Sequence, residues 1–416
     1  MQELIYRFKS WYHWFKTGLL KGLSAQLRYR WPARKLRIIA ITGTDGKTTS
    51  STLLYQILKS AGKKVALLST VAAYIGDEKI ETGFHVTTPP AHDLQKIMRR
   101  MVDAGMDYLI LEFTSHGAYQ HRLWGIKPLL AGITNVTHEH FDYHLTYQNY
   151  LEAKAILLKK AKTVILNEDD LSFNKLKRLL PTTTKVVSYS HATSLPQKVR
   201  EAIMKKLPEP YNQMNARLVV ALASQLNLTT SQIAQGIADF QGVEGRMDFV
   251  PNKRGFKIVI DFAHTPNALT EALEALKKYM RQEKMPGRLI AVYGCAGLRD
   301  FTKRPLMGKI GIDLADLVVF TAEDPRTEDV WSIIRQMKEQ LTTGHNRIIS
   351  IADRAKAIDF AINKLARRGD LVVFFGKGPE KSMAYDKMEY PWSEQAVVQQ
   401  ALNKKSWTSC NTILFI

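Results

Sequence analysis

The sequence predicts two α/β domains in series, each a parallel β-sheet covered by helices on both faces, and three observations predict it. Short β-branched apolar runs alternate with helix-length amphipathic stretches along most of the chain, the pattern of strands joined by crossover helices. Gly242 and Gly245 interrupt that alternation once, after which a second series begins. A length of 416 residues leaves room for more than one hydrophobic core.

Taken in order, residues 1–36 precede the first strand as a basic, aromatic arm of helical spacing. Strands are predicted at 37–42, 64–69, 108–113, 129–134 and 163–166, with helices at 91–103 and 148–160 between them. These define a central domain, 37–243, of phosphate-loop type. A second series at 257–261, 288–293, 316–320, 347–351 and 370–375 defines a Rossmann-like C-terminal domain, 244–416.

Net charge is +20, which admits nucleic acid, a membrane surface or polyanionic small substrates as partners. No helix-turn-helix, zinc-finger or RNA-binding pattern is present, which argues against nucleic acid. Residues 1–37 hold nine Lys or Arg against the single acid Glu3, so much of the surplus belongs to the arm. No run of about eighteen apolar residues exists to span a bilayer, and no secretory leader pattern follows the start. Cys295 and Cys410 show no pairing pattern, which fits a reducing cytoplasm.

The chemistry begins at Gly43, Thr44, Asp45, Gly46, Lys47, Thr48 and Thr49, placed between a strand and a helix. Glycines let backbone wrap phosphates, the helix N-terminus offers free N–H groups, Lys47 brings a point charge and Thr48 a hydroxyl for magnesium. The general spacing of such loops would put a glycine at 41, where Ile41 stands, so the match is to a shorter variant; the plain alternative is a surface turn. Glu112, at the end of the next apolar strand, is placed for Mg²⁺. The segment 135–144 (NVTHEHFDYH) is rich in ligating side chains, but its spacing is not HExxH and it lacks cysteines, which argues against zinc. Read alone, it is equally a capped loop with solvated histidines.

Together these segments resemble the Mur ligase family, ATP-dependent amide-forming enzymes of peptidoglycan precursor synthesis. Residues 43–49 resemble the family's GTNGKTT, with Asp45 for Asn; 87–89 its TTP; 112–122 its EVSSHGLxQxR; 135–144 its NxxxDHxDxH; 150–154 its YxxAK. In the second domain 261–266 resembles DYAHTP, and 293–308 FGCGGxRDxxKRPxMG. Residues 323–329 (EDPRTED) and 376–380 (GKGPE) resemble DNPRTED and GKGHE of the MurE type, which adds the third stem-peptide residue.

The resemblance implies an acceptor carboxylate activated by ATP as an acyl phosphate and then captured by an amine. It implies a catalytic set of Lys47, Glu112, His140 and Lys154. Thr48, Glu112, His140 and a carbamylated Lys154 would serve about two Mg²⁺ ions. Residues 43–49 with Asn215 and Arg246 would hold ATP. Thr87, Thr88, Thr114, Ser115, Gln120 and Arg122 would line the site for UDP-MurNAc-dipeptide. His264, Arg299, Glu323, Asp324, Pro325, Arg326, Gly376 and Glu380 would line that for the diamino acid. An arginine fork at Arg326 suits the extra carboxylate of meso-diaminopimelate over lysine.

In the amino-acid segments Asp324 stands for Asn and Pro379 for His. Family members of this type also carry a separate uridine-gripping domain before the phosphate loop, where here the arm stands. A lysine-adding or folylpolyglutamate-synthase-like ligase, and a non-catalytic nucleotide-binding scaffold, are the alternatives. In the arm, Leu4, Phe8, Trp11, Phe15, Leu19, Leu23 and Leu27 follow helical spacing up to Pro32. Packing of that stripe on the central domain, a peripheral contact with anionic membrane, and docking on a partner are its three readings. The first predicts that deleting 1–30 costs stability.

Overall fold

The computed structural model describes residues 2–71, 73–80, 87–137 and 139–404; His138 and Cys410 lie outside them. The chain forms two compact units, Met1–Val243 and Glu244–Ile416. The first contains an eight-stranded sheet of β1 (Arg37–Thr42), β2 (Val65–Leu68), β3 (Ala73–Ile75), β4 (Glu78–Ile80), β5 (Tyr108–Glu112), β6 (Leu130–Ile133), β7 (Thr163–Asn167) and β8 (Lys185–Tyr189). Their order is β4-β3-β2-β5-β1-β6-β7-β8. From β2 to β8 all pairings are parallel, whereas β3 and β4 pair antiparallel at one margin. The parallel reading thus describes the body of the sheet and not that margin.

β1 explains why both faces are covered. Its side chains alternate, Ile38 and Ala40 entering one core, Ile39 and Ile41 the other. On the first face they meet Met98 of the helix Ala91–Asp103 and Leu151 of the helix Tyr147–Leu158. On the second they meet Leu53 and Ile57 of Lys47–Ser60 and Leu218 of Pro210–Gln225. Since β1 lies between β5 and β6, the loops leaving these three strands share one end of the sheet, where such folds bind ligands.

The second unit repeats the plan with β9 (Asp248–Val250), β10 (Lys257–Asp261), β11 (Leu289–Tyr293), β12 (Leu317–Phe320), β13 (Ile348–Ser350) and β14 (Leu371–Phe375), ordered β13-β12-β11-β14-β10-β9. Only the edge strand β9 runs antiparallel in that sheet. A hairpin, β15 (Ser382–Tyr385) with β16 (Met388–Pro391), follows. Arg354 and Glu394, both fully buried, form an ion pair of 2.5 Å. The same guanidinium donates to the carbonyls of Ala322 (3.1 Å) and Phe375 (2.7 Å), tying the loops that leave β12 and β14.

The arm corrects one expectation. It is helical, Gln2–His13 and Leu23–Arg28, but the middle, Trp14–Gly22, is π-helical. The apolar stripe does not pack inward: Leu4, Phe8, Trp11, Phe15, Leu23 and Leu27 are exposed. The contact is made instead by Tyr6, stacked on Tyr119 at 4.5 Å, and by Gly18 and Gly22. A Cβ at Gly22 would sit 2.6 Å from Trp124, so the pair of glycines is what lets the backbone approach. Gln26 Nε2 donates to the Trp124 carbonyl at 2.7 Å.

Candidate active site

The loop after β1 turns where only glycine fits. Gly46 has φ +79°, and a Cβ there would lie 2.1 Å from Asn215 Oδ1; at Gly43 it would lie 1.7 Å from Thr134 Oγ1. Asn215, expected at the nucleotide, therefore sits against the loop itself. Asn135 Oδ1 accepts from the amides of Thr44 (3.2 Å) and Asp45 (2.9 Å), and Tyr150 OH meets Thr44 Oγ1 at 3.0 Å. These contacts hold a concave loop in front of the helix Lys47–Ser60, whose N-terminus is an anion-binding position. Lys47 Nζ rests on the Thr44 carbonyl at 2.7 Å.

Thr48 Oγ1 donates to Glu112 Oε1 at 3.0 Å. Glu112 is fully buried at the end of β5, and Thr70 donates to it twice, from Oγ1 (2.8 Å) and from its amide (3.1 Å). Thr48 and Glu112 are hard oxygen donors suited to Mg²⁺. Among the described residues no group of three His, Cys, Asp or Glu could hold a metal ion. Mg²⁺ commonly binds through one or two protein oxygens together with phosphate oxygens and water.

Lys154, on the helix Tyr147–Leu158, is only 1% exposed and donates to the Gly43 carbonyl at 2.6 Å, its Nζ 4.5 Å from the Tyr150 ring centre. Burial, reinforced by the neighbouring charge of Lys47, pushes its pKa well below the ordinary lysine value. A neutral amine is the form that carbon dioxide can carbamylate. His140 stands in the left-handed region (φ +59°), its ring against His116 at 4.6 Å and Tyr150 at 6.1 Å.

The residues expected at the acceptor are each tied into local polar contacts. Thr70 and Thr87 meet through their hydroxyls at 2.8 Å, and Thr88 Oγ1 meets Thr114 Oγ1 at 3.2 Å. Arg122 donates to the Thr88 carbonyl (2.7 Å) and to Gln120 Oε1 (2.9 Å), while Gln120 donates to Tyr143 (2.9 Å). Ser115 Oγ contacts His144 Nε2 at 3.0 Å. His144 is held neutral, its pKa down to about 3, chiefly by burial.

In the second unit, residues 323–326 follow β12. Asp324 and Arg326 are both left-handed, at φ +43° and +53°, an unfavourable conformation for non-glycine residues. Fixed partners hold it: Gly297 N donates to the Asp324 carbonyl, and Arg326 N to the Ala384 carbonyl, each at 3.0 Å. Asp324 Oδ1 accepts from Lys377 Nζ (2.8 Å) and Ala384 N (2.9 Å). The aspartate is thus explained, since Lys377 is fully buried and is shared with Glu380 at 2.5 Å. Burial alone would lower the Lys377 pKa, but Glu380 and Asp324 raise it above its usual value. Nothing in the structure explains Pro379. Arg326 Nη1 donates to the Gly297 carbonyl at 2.6 Å, and Arg299 is exposed. Pro325 is buried; His264 Nδ1 lies 2.9 Å from the Phe262 carbonyl, and Arg246 stacks over the Phe262 ring at 4.4 Å.

Glu323 is buried against Gly376, where a Cβ would lie 2.2 Å from Oε2. Burial lifts its carboxyl from 4.5 to about 7, against the pull of Lys303 and Arg354. The folded pKa exceeds the unfolded one, so the stabilising proton is fully bound below the unfolded value and lost as pH rises through the folded value. The melting temperature should fall between about pH 5 and pH 8, and Glu323→Gln should flatten that component. A variant with an unchanged slope would place the titration elsewhere.

Thr70, Asn135 and Lys377 were given no role by the sequence. The available signal was position: each follows the C-terminal end of a parallel strand.

A parallel-sheet domain with a phosphate loop, followed by a second α/β unit, is the plan of an ATP-handling ligase. The family model for the Mur ligase middle domain matches residues 41–223, and that for the Mur ligase, glutamate ligase domain matches 245–378. The chain is 34% identical over 395 residues to the UDP-N-acetylmuramoyl-L-alanyl-D-glutamate–2,6-diaminopimelate ligase of Clostridium botulinum, covering 90% of this chain and 79% of the relative. To the enzyme of that name from Geobacillus kaustophilus it is 31% identical over 414 residues, covering 92% and 82%. A solved structure of a ligase of that name superposes with a TM-score of 0.56 at 28% identity, covering 91% of this chain and 82% of that one. Mycobacterium tuberculosis folylpolyglutamate synthase superposes at 0.71 with 14% identity, covering 94% and 96%, a likeness of fold alone. This chain belongs to the Mur ligase family.

Proposed function

We propose that this protein is an ADP-forming amide ligase that adds meso-diaminopimelate to UDP-MurNAc-L-Ala-D-Glu in cytoplasmic peptidoglycan synthesis. The observation that carries the reading is the buried Thr48–Glu112 pair at 3.0 Å beside a phosphate loop whose Gly43 carbonyl is capped by Lys154. That donor set suits transfer of a γ-phosphoryl group to a carboxylate.

In this reading the loop amides and Lys47 hold the β- and γ-phosphates, the ammonium exchanging its neutral Thr44 acceptor for a charged one. Thr48 and Glu112 hold Mg²⁺, which when bound neutralises charge between two anions. His140 and Lys154 support it from the adjoining turn and helix, Lys154 as a carbamate. Thr87, Thr88, Thr114, Ser115, Gln120 and Arg122 position the acceptor, and its carboxylate attacks the γ-phosphorus to give an acyl phosphate and ADP. Asn215, beside Gly46, and Arg246 are assigned to the nucleotide. In the second unit Arg326 receives the distal carboxylate of the diamino acid, supported by Asp324, Lys377 and Glu380. The amine then attacks the acyl carbon and phosphate leaves. Most of the rate enhancement in such a reaction comes from positioning and charge neutralisation.

The test is mass spectrometry of products from ATP, Mg²⁺, the UDP-MurNAc-dipeptide and a mixture of diaminopimelate and lysine. The expected products are the diaminopimelate tripeptide, ADP and phosphate. Release of AMP and pyrophosphate, or ATP consumption indifferent to acceptor, would overturn the reading.

A further inference from the structure

We infer that the outward face of the N-terminal arm is a docking surface for an anionic phospholipid membrane. Counting 100° per residue along the helix Gln2–His13, the residues Leu4, Phe8 and Trp11 fall within about 60° of arc, and Phe15, in the π-helical stretch beyond, stacks on Trp11. Leu4 is 73% exposed, Phe8 65% and Trp11 59%. Phe8 and Trp11 rings lie 6.1 Å apart and Trp11 and Phe15 6.2 Å, so the stripe is a continuous aromatic ridge.

The opposite side of the same helix is already occupied. Tyr6 OH meets His144 Nδ1 at 2.9 Å, the Tyr119 hydroxyl donates to the Tyr6 carbonyl at 2.5 Å, and Glu3 accepts from Asn149 at 3.1 Å. The ridge therefore has no partner that a rotation of the helix could supply without breaking these contacts. Glu3 is the only acid in residues 1–37; it accepts from Asn149 and also pairs with Arg7 at 3.7 Å.

Arg7, Lys9, Lys16 and Lys21 are exposed on the same stretch, with long aliphatic stems and charged ends. An apolar aromatic ridge on a stretch with an excess of positive charge, Glu3 being its single acid, is complementary to an anionic headgroup layer over acyl chains. A second copy of the chain fits worse, because pairing the ridges would oppose two sets of like charges. No helix among the described residues is long and apolar enough to cross a membrane, so the arm would lie along the surface.

The experiment is co-flotation of the full chain with phosphatidylcholine vesicles, with and without phosphatidylglycerol. Binding is expected only with the anionic lipid, and it should weaken with added salt. The joint variant Phe8→Ser, Trp11→Ser, Phe15→Ser should bind at least about tenfold less, with an unchanged melting temperature. A second variant, Arg7→Glu, Lys9→Glu, Lys16→Glu, should lose binding to the same degree. Absence of flotation with anionic vesicles at low salt would overturn the inference. So would a serine variant that floats like the wild type, or one that melts several degrees lower, since the ridge would then be packed within the protein. A concentration-dependent dimer that the serine variant disperses would assign the face to a second copy instead.

Discussion

Lys154→Ala is expected to lower ligase turnover by about a hundred- to a thousandfold, the scale of losing one preorganised electrostatic group at a phosphoryl-transfer site. The side chain reaches the Gly43 carbonyl from inside the protein, fully buried and with its basicity suppressed. Holding an amine there is costly unless it is chemically altered or its contact is needed. Truncation removes both the cost and the contact, so the melting temperature should move little while the rate collapses. Lys154→Met, which keeps volume and removes the nitrogen, should be as slow as the alanine variant. Short carboxylates added to the alanine variant should restore part of the rate if the role is that of a carbamate. Near-normal turnover of either variant would reduce Lys154 to a packing residue.

The second large effect concerns the amino acid. Wild-type protein should prefer diaminopimelate over lysine, and Arg326→Ala should erase the preference, a change of about thirty- to a thousandfold in the ratio of kcat/KM. The physical argument is the geometry of the turn. Two left-handed non-glycine positions on either side of Pro325 are held by Gly297, Ala384 and Lys377, so the guanidinium is carried on a strained but fixed support. Arg326→Lys should not rescue, because an ammonium cannot reproduce a planar two-donor fork. A wild type that turns over lysine faster would show that Arg326 is committed to the Gly297 carbonyl alone.

The sequence made the body of both sheets legible because their strands are buried on both faces and read as continuous apolar runs. β1, β5, β11 and β14 are of this kind. It did not reveal β3, β4 or β8, which are short or half-exposed; Glu78-Lys79-Ile80 has no strand pattern to find. The loop from Gly43 to Thr48 was legible because its parts are contiguous. The hold of Thr70 on Glu112 and of Asn135 on the loop was not, since strand order, not spacing, brings them together. In the arm, periodicity identified the helix and its apolar stripe but not which face is covered. The signal that decides it was four residues apart and small: Gly18 and Gly22, whose missing side chains admit Trp124.

The antiparallel margin of the first sheet bears on how such a protein can change. Between β3 and β1 stand two whole strands, β2 and β5, each fixed by its own parallel register. A lengthened turn between β3 and β4 would be absorbed at the rim, with no residue of the phosphate loop displaced. One residue inserted within β1 would instead send the residues beyond it to the opposite faces of the sheet and disturb both cores at once. The β3–β4 edge can therefore change in length where the strand carrying the phosphate loop can change only in side chain.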